Sequence, residues 1–312
     1  MKEFKNKDVI VTGGTGSIGS EIVRQLLKTT VSKIRIYSRD EHKQHELRQE
    51  LGADPRLTFL IGDVRDKDRL DFAFRDVDIC FHAAALKHVS FCEYNPFEAL
   101  KTNTIGTQNV IDVAIKNNLE KVIAVSTDKA VSPESVLGAS KLMAERLIAA
   151  ANLTVGRSRT RFSCVRFGNV VGSRGSVMHL WRRQIEEGGP VTITHKRVSR
   201  FFMEIPEAAG LIFEAARIMR GGEIFVLKMK ERLIVDFARE LIEKFGNGKK
   251  IAITFTGLRP GEKLDEELFT KEECSHMLET SSMYIITSQQ LVPDYKYKQS
   301  SYPGSRKASI RR

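Results

Sequence analysis

The chain has 312 residues, 41% hydrophobic and 29% charged, with 50 Lys and Arg against 39 Asp and Glu for a formal charge of +11. This is the make-up of an ordinary globular protein with a sizeable core, in one or two domains. No apolar run approaches the ~20 residues of a membrane helix, and Cys80, Cys92, Cys164 and Cys274 form no C-x-x-C pair. A transmembrane segment, a disulfide framework and a zinc site are therefore not expected, and the chain reads as reduced and cytoplasmic.

Asp8–Thr12 reads as a short buried strand and Ile18–Lys28 as a helix with Ile18, Ile22 and Leu26 at four-residue spacing. Strands at Lys33–Tyr37, Leu57–Ile61, Asp78–His82, Lys121–Ser126 and Arg161–Phe167 follow, with helices at Glu41–Leu51, Pro96–Asn117 and Gly138–Ala151. Apolar strands alternating with helices predict an α/β fold, a Rossmann-type doubly wound parallel sheet covered on both faces. After Asn169 the elements shorten and Gly, Pro and Arg become frequent. Residues 1–169 are thus read as the nucleotide-binding core. Residues 170–294 are read as a smaller C-terminal substrate-binding lobe with returns to the sheet. Residues 295–312, with six Lys or Arg and no acid, are expected to be a loose basic tail.

Gly13, Gly16 and Gly19 form G-x-x-G-x-x-G between the first strand and the first helix. In that place glycines allow a tight turn and close approach of a pyrophosphate to the free N–H groups of the helix. The second strand runs into Ser38-Arg39-Asp40, with Lys43 a turn later. Arg39 and Lys43 suit the 2′-phosphate of NADP, and Asp40 suits either NAD ribose hydroxyls or a helix cap; NADP is expected, with NAD left open. Asp63 after the third strand is a candidate for the adenine amino group or for a cap. His42 and His45 share a helix face without a third ligand, and no metal is expected. The positive charge favours anionic partners, but no basic stripe with interleaved aromatics points to nucleic acid.

The phosphate loop, Asp63 and His82-Ala-Ala-Ala85 resemble the extended short-chain dehydrogenase/reductase family. Ala83–Val89, Glu93-Tyr-Asn-Pro96, Lys101-Thr-Asn103, Ser126-Thr-Asp-Lys129, Arg166–Gly175, Arg200-Phe-Phe-Met203 and Leu258–Lys263 look like the UDP-N-acetylglucosamine 4,6-dehydratases of polysaccharide biosynthesis. The resemblance runs from about residue 5 to 270. It implies cofactor contacts at Gly13, Thr15, Gly16, Ser17, Ile18, Gly19, Ser38, Arg39, Lys43, Asp63, Val64, Ala83, Ala84, Lys87, Asn103, Ser126, Lys141 and Phe167. Lys87, His88, Asn169, Arg174, Thr192, Arg259 and Glu262 are implied as contacts for the UDP-sugar, with Arg suited to a diphosphate.

The resemblance also implies a reaction. Transient oxidation at C4 acidifies the C5 proton, which Lys129 removes while Asp128 protonates the departing C6 hydroxyl. Thr127 would handle the C4 hydroxyl proton and Lys141 the nicotinamide ribose. Such roles call for a lowered Lys129 pKa and a raised Asp128 pKa, which burial promotes and their mutual attraction opposes. One departure stands out. Leu137 occupies the place, four residues before Lys141, where the wider family has Tyr, and a Leu cannot exchange a proton. Relatives with Met there retain the C5 configuration, and retention is expected here. Two alternatives remain open: a UDP-sugar 4- or 5-epimerase, and a non-catalytic NADP-binding protein. The resemblance further implies a homo-oligomer packed through the helices at Pro96–Asn117 and Gly138–Ala151, whose Ala139, Ala144 and Ala149–Ala151 permit close contact.

Overall fold

The computed structural model describes residues 2–287 and 298–299. Six parallel strands alternate with helices in its first half: β1 Asp8–Thr12, α1 Ser17–Leu27, β2 Lys33–Ser38, α2 Glu41–Leu51, β3 Leu57–Ile61, α3 Lys67–Phe74, β4 Ile79–His82, α4 Val89–Tyr94, α5 Pro96–Ala99, α6 Gly106–Lys116, β5 Lys121–Val125, α7 Val136–Thr154 and β6 Arg161–Arg166. The second half holds β7 Asn169–Val171, α8 Val177–Glu186, β8 Val191–Ile193, β9 Ser199–Glu204, α9 Ile205–Ile218, β10 Ile224–Leu227, β11 Lys230–Leu233, α10 Ile234–Phe245, β12 Ile253–Phe255, α11 Lys271–Cys274, β13 Met277–Glu279, β14 Met283–Ile286 and β15 Lys298–Gln299.

The main sheet runs β15-β13-β14-β10-β6-β5-β4-β1-β2-β3, parallel from β10 to β3 and antiparallel beyond. Alternate residues of each central strand go to opposite faces. Val9, Val11, Phe81 and Ile123 pack under α1 and α9, while Ile10, Cys80, Val122 and Ala124 pack under α3, α6 and α7. Both faces being covered is why the strands are apolar throughout. The chain leaves β1 on one side for β2 and β3 and on the other for β4, so the switch point lies between β1 and β4. Ligands of such sheets bind at the carboxyl ends there.

The long helix expected over Pro96–Asn117 is interrupted. Leu100–Ile105 forms a π-helical turn between α5 and α6, an irregularity often tied to function. It carries Thr102 and Asn103 towards the loop after β4. The sequence reading missed α3, whose apolar face is only Leu70, Ala73 and Phe74. The smaller lobe has its own core of Trp181, Ile185, Val191, Ile193, Ile234 and Phe237. Chain 224–286 returns three strands to the main sheet. Of the loose tail expected from residue 295, Lys298–Gln299 pair antiparallel with Leu278–Glu279; its other residues lie outside those described. No described helix is long and apolar enough to cross a membrane.

Candidate active site

A cavity of about 830 Å³ opens at the switch point, between the ends of the parallel strands and the smaller lobe. Its floor is the turn between β1 and α1. Gly13 has φ +66°, and a Cβ there would stand 2.7 Å from the backbone of Ala84 after β4. A Cβ on Gly19 would stand 2.3 Å from the Gly13 carbonyl oxygen. The two glycines therefore let the loops after β1 and β4 close on each other and let α1 start against the turn. No side chain caps α1, which leaves its first N–H groups and dipole facing the cavity. Thr15, Gly16, Ser17 and Ile18 complete this wall.

Ser38, Arg39, Lys43, Asp63 and Val64 line the end under β2 and β3. Asp40 is the cap of α2, accepting from the Lys43 N–H at 3.0 Å, and its carboxylate also holds Lys43 Nζ at 2.6 Å. Burial opposes the charge of Asp63, but Arg65 and Arg39 outweigh it and keep its carboxyl below the ordinary range. Arg39 touches Asp63 at only 3.5 Å, and its side chain is half exposed. Its remaining N–H groups can still meet a further anion.

Ala83, Ala84, Lys87 and His88 follow β4, and Ser126, Thr127 and Lys129 follow β5. Asn103, expected to contact cofactor, is not among the lining residues. It is fully buried, and its amide clamps both backbone groups of Leu86 (2.8 and 3.1 Å) and Ser140 Oγ at 3.0 Å. It shapes the loop after β4 instead. Next to it, Thr107 donates to the Asn103 carbonyl, so it accepts from His82 Nε2–H, and Nδ1 takes the Thr12 hydroxyl. Burial, with Lys141 nearby, pushes His82 down to about 3 and keeps it neutral.

Arg174, expected against substrate, lines the cavity, with its backbone held over the phosphate turn. Its N–H donates to Ser17 Oγ at 2.9 Å and its carbonyl accepts from Lys87 Nζ. Thr192 reaches the cavity, but its hydroxyl is bonded to Gln184. Glu262 accepts from Thr194 Oγ1 at 3.0 Å and from the Arg259 N–H at 3.1 Å. Asn169 and Arg259 line the same wall, the latter exposed.

The chemically dense corner lies after β5. Asp128 is fully buried; its Oδ1 accepts from Thr127 Oγ1 at 2.9 Å and from Lys129 Nζ at 3.0 Å. Lys129 Nζ also meets Glu266 Oε1 at 3.3 Å. Burial works against the Lys129 ammonium, but the carboxylates of Asp128 and Glu266 overcome it and raise its pKa. Burial, aided by Asp128, raises Glu266. Lys141 Nζ donates to the Val125 carbonyl at 2.7 Å, and burial lowers its pKa. Leu137 is 4% exposed, packed with Cys92 and Ala99 at the cavity edge.

Sequence reasoning missed Glu266, Thr102 and Ser176. Among the described residues, the buried side-chain polar atoms left without a partner are Thr102 Oγ1, Ser126 Oγ, Ser176 Oγ, Glu266 Oε2 and Asp128 Oδ2. The first four belong to residues that line the cavity. Unpartnered buried polar atoms are rare and call for an explanation. Their gathering in one place is that of a pocket made to be filled by a polar ligand.

The family model for polysaccharide biosynthesis proteins matches residues 9–288. An uncharacterized membrane protein of Methanocaldococcus jannaschii is 52% identical over 91% of this chain and 86% of its own length. A UDP-N-acetylglucosamine 4,6-dehydratase (inverting) of Campylobacter jejuni is 42% identical over 91% of this chain and 84% of its own. A UDP-glucose 4-epimerase of Rickettsia akari is also 42% identical, over 91% and 83%. The X-ray structure of Pen from Bacillus thuringiensis, 45% identical, superposes with TM-score 0.89 over 92% of this chain and 89% of that one. With its doubly wound sheet and the motifs of its cavity, this chain belongs to the polysaccharide biosynthesis protein family.

Proposed function

We propose that the protein is a UDP-N-acetylglucosamine 4,6-dehydratase that keeps its nicotinamide cofactor through the cycle. The observation that carries this reading is the buried Thr127–Asp128–Lys129 corner beside a dinucleotide-shaped wall. The paired glycines and uncapped α1 fit a pyrophosphate, Ser126 Oγ offers an unused donor, and Arg39 favours NADP over NAD. The bound nicotinamide supplies a reversible oxidant for sugar C4. Thr127 takes the C4 hydroxyl proton and passes its own to Asp128 Oδ1. Asp128 then protonates the C6 oxygen, which leaves as water, while Lys129 removes the C5 proton and later returns it. Leu137 takes no part in proton transfer. Retention at C5 is expected from Leu137, although the Campylobacter relative is named as inverting; the C5 proton couplings of the product report which occurs.

Incubation with UDP-N-acetylglucosamine, no cofactor added, tests the reading. A product lighter by one water supports it, and a sugar isomer of unchanged mass selects the epimerase. Epimerisation at C4 expels no leaving group and needs no acid at C6, so Asp128 beside Lys129 favours elimination over it. Gly19→Ala forces its Cβ against Gly13; overpacking of about 1–3 kcal/mol is expected to weaken cofactor retention about tenfold or more, read from the nucleotide released on denaturation.

We also infer a homo-oligomer, on the face where the helices at Pro96–Asn117 and Gly138–Ala151 lie beside α4; of their small residues Ala139 and Ala150 are exposed. Ala144 and Ala151 are already buried in the protomer. Phe91, Tyr94 and Phe97 on α4 and α5 are 68%, 88% and 60% exposed, with Ile105 and Met143 exposed as well. Such a patch marks an interface. Tyr94→Glu with Phe97→Glu is expected to raise the assembly Kd at least about tenfold, measured by light scattering on a dilution series; an unchanged mass places the interface elsewhere.

A further inference from the structure

The proton count of the proposed reaction leaves one proton without a place. The C4 hydroxyl proton travels through Thr127 to Asp128 and leaves on the C6 oxygen in water, so Asp128 starts and ends as a carboxylate. The C5 proton moves to Lys129 and back, so Lys129 must start as a neutral amine. Yet in the structure Lys129 lies between two carboxyl groups, 3.0 Å from Asp128 Oδ1 and 3.3 Å from Glu266 Oε1, an arrangement that holds an ammonium. Its extra proton cannot go to Asp128, because that oxygen must be open to the proton arriving from Thr127.

We propose that Glu266 is the proton acceptor that frees Lys129: the Lys129 N–H bond breaks, an O–H bond forms on Glu266, and the proton returns when the cycle closes. Nothing else is consumed, and the step rests on the dehydratase reading above. The geometry supplies the path, since Glu266 Oε1 faces the ammonium directly, and Glu266 lines the cavity with Oε2 buried and unpartnered. The charged groups facing Glu266 are Lys129 and Asp128 from the loop after β5 and Arg200 from β9. Arg200 is held by the carbonyls of Ser199, Lys263 and Leu264 at 2.6, 2.9 and 2.9 Å. It thus pins the segment that carries Glu266 without neutralising it outright. Burial and the neighbouring Asp128 make Glu266 a better proton holder than an ordinary carboxylate.

The consequence is a pH signature. With Glu266 present, the pair keeps a single proton over the interval between the two titrations. The fraction with neutral Lys129 is then constant, and kcat/KM is flat with pH. In Glu266→Gln, Lys129 must give its proton to solvent. The rate then rises about tenfold for each pH unit up to the Lys129 pKa and lies below the native rate on the acid side. A group that only supports the fold would scale the whole profile without changing its slope. The first measurement is therefore kcat/KM against pH for the native protein and Glu266→Gln. A rising profile only in the variant supports the proposal, and parallel profiles overturn it. The second uses 13C-lysine NMR on the native protein, with the Lys129 signal assigned by its loss in Lys129→Met. A Lys129 signal that moves in both pH steps of the pair supports the shared proton, and movement in the upper step alone overturns it even if Glu266→Gln does not fold. Absence of water loss by the native protein overturns the dehydratase reading instead, and the lysine titration then judges the pair by itself.

Discussion

Lys129→Met is expected to lower the rate of water loss by about 10²–10⁴-fold, the range for a positioned general base, while leaving C4 oxidation possible. Lys129 meets the cavity with 20% of its side chain exposed, whereas Asp128 is buried behind it and exchanges protons with the cavity through the Thr127 hydroxyl bonded to its Oδ1. Methionine preserves the length and the apolar stem but abstracts no proton, so the sugar should stop at the C4 ketone. In a single turnover the absorbance of reduced nicotinamide should then appear and persist, where the native protein shows it only in passing. A variant that still eliminates water at a tenth of the native rate or better would place the C5 base elsewhere. Asp128→Asn is a weaker test, because its buried Oδ1 also orders Thr127 and Lys129.

The second large effect concerns stability. Arg166 at the end of β6 is 1% exposed. It donates to both oxygens of Glu145 on α7, at 3.1 and 2.7 Å, and to both oxygens of Glu273 on α11, at 2.9 Å each. A further bond reaches the Leu268 carbonyl at 2.8 Å. This fork ties the stretch 268–273 and α7 to the end of β6. Arg166→Met leaves two carboxylates buried without their partner, and such a break costs about 3–5 kcal/mol. The loss should depend on pH with a defined sign. Burial raises the Glu273 pKa, but Arg166 outweighs it and leaves the folded value below the ordinary one. Its stabilisation is therefore present above the unfolded pKa and is lost as pH falls through the folded one. The urea midpoint of Arg166→Met should thus trail the native one most at neutral pH, with the gap closing in acid. A gap independent of pH would mean that packing, not charge, carries the effect.

The contrast between Arg166 and Lys129 shows what the chain made legible. The alternation of apolar strands and helices is a local pattern, so the doubly wound sheet and its switch point could be read directly. The phosphate turn was equally readable, because glycine spacing and backbone shape are tied together over a few residues. Thr127-Asp128-Lys129 is contiguous and follows a strand end. Contacts set by distant segments were not visible. Glu266 lies 137 positions beyond Lys129 in the chain, in an irregular loop with no periodicity, and only folding brings it to the ammonium. Asn103 lies near the cofactor wall but its amide faces other protein groups, which motif position does not disclose. The break at Leu100–Ile105 escaped notice because a π-helical turn changes the hydrogen bonding without changing the apolar pattern. Of the small residues on the two helices, Ala144 and Ala151 serve internal packing while Ala139 and Ala150 are exposed, a division that composition does not disclose.

A nicotinamide held against the phosphate turn would supply the oxidant for C4 and the hydride for C6, while Asp128 and Lys129 move the protons. UDP-N-acetylglucosamine carrying deuterium at C4 tests it most directly, with the product analysed by mass and proton NMR. The account predicts loss of one water and deuterium in the new C6 methyl group of the same sugar. Deuterium returned to C4 of a sugar isomer, or water loss with the label still at C4, would contradict it.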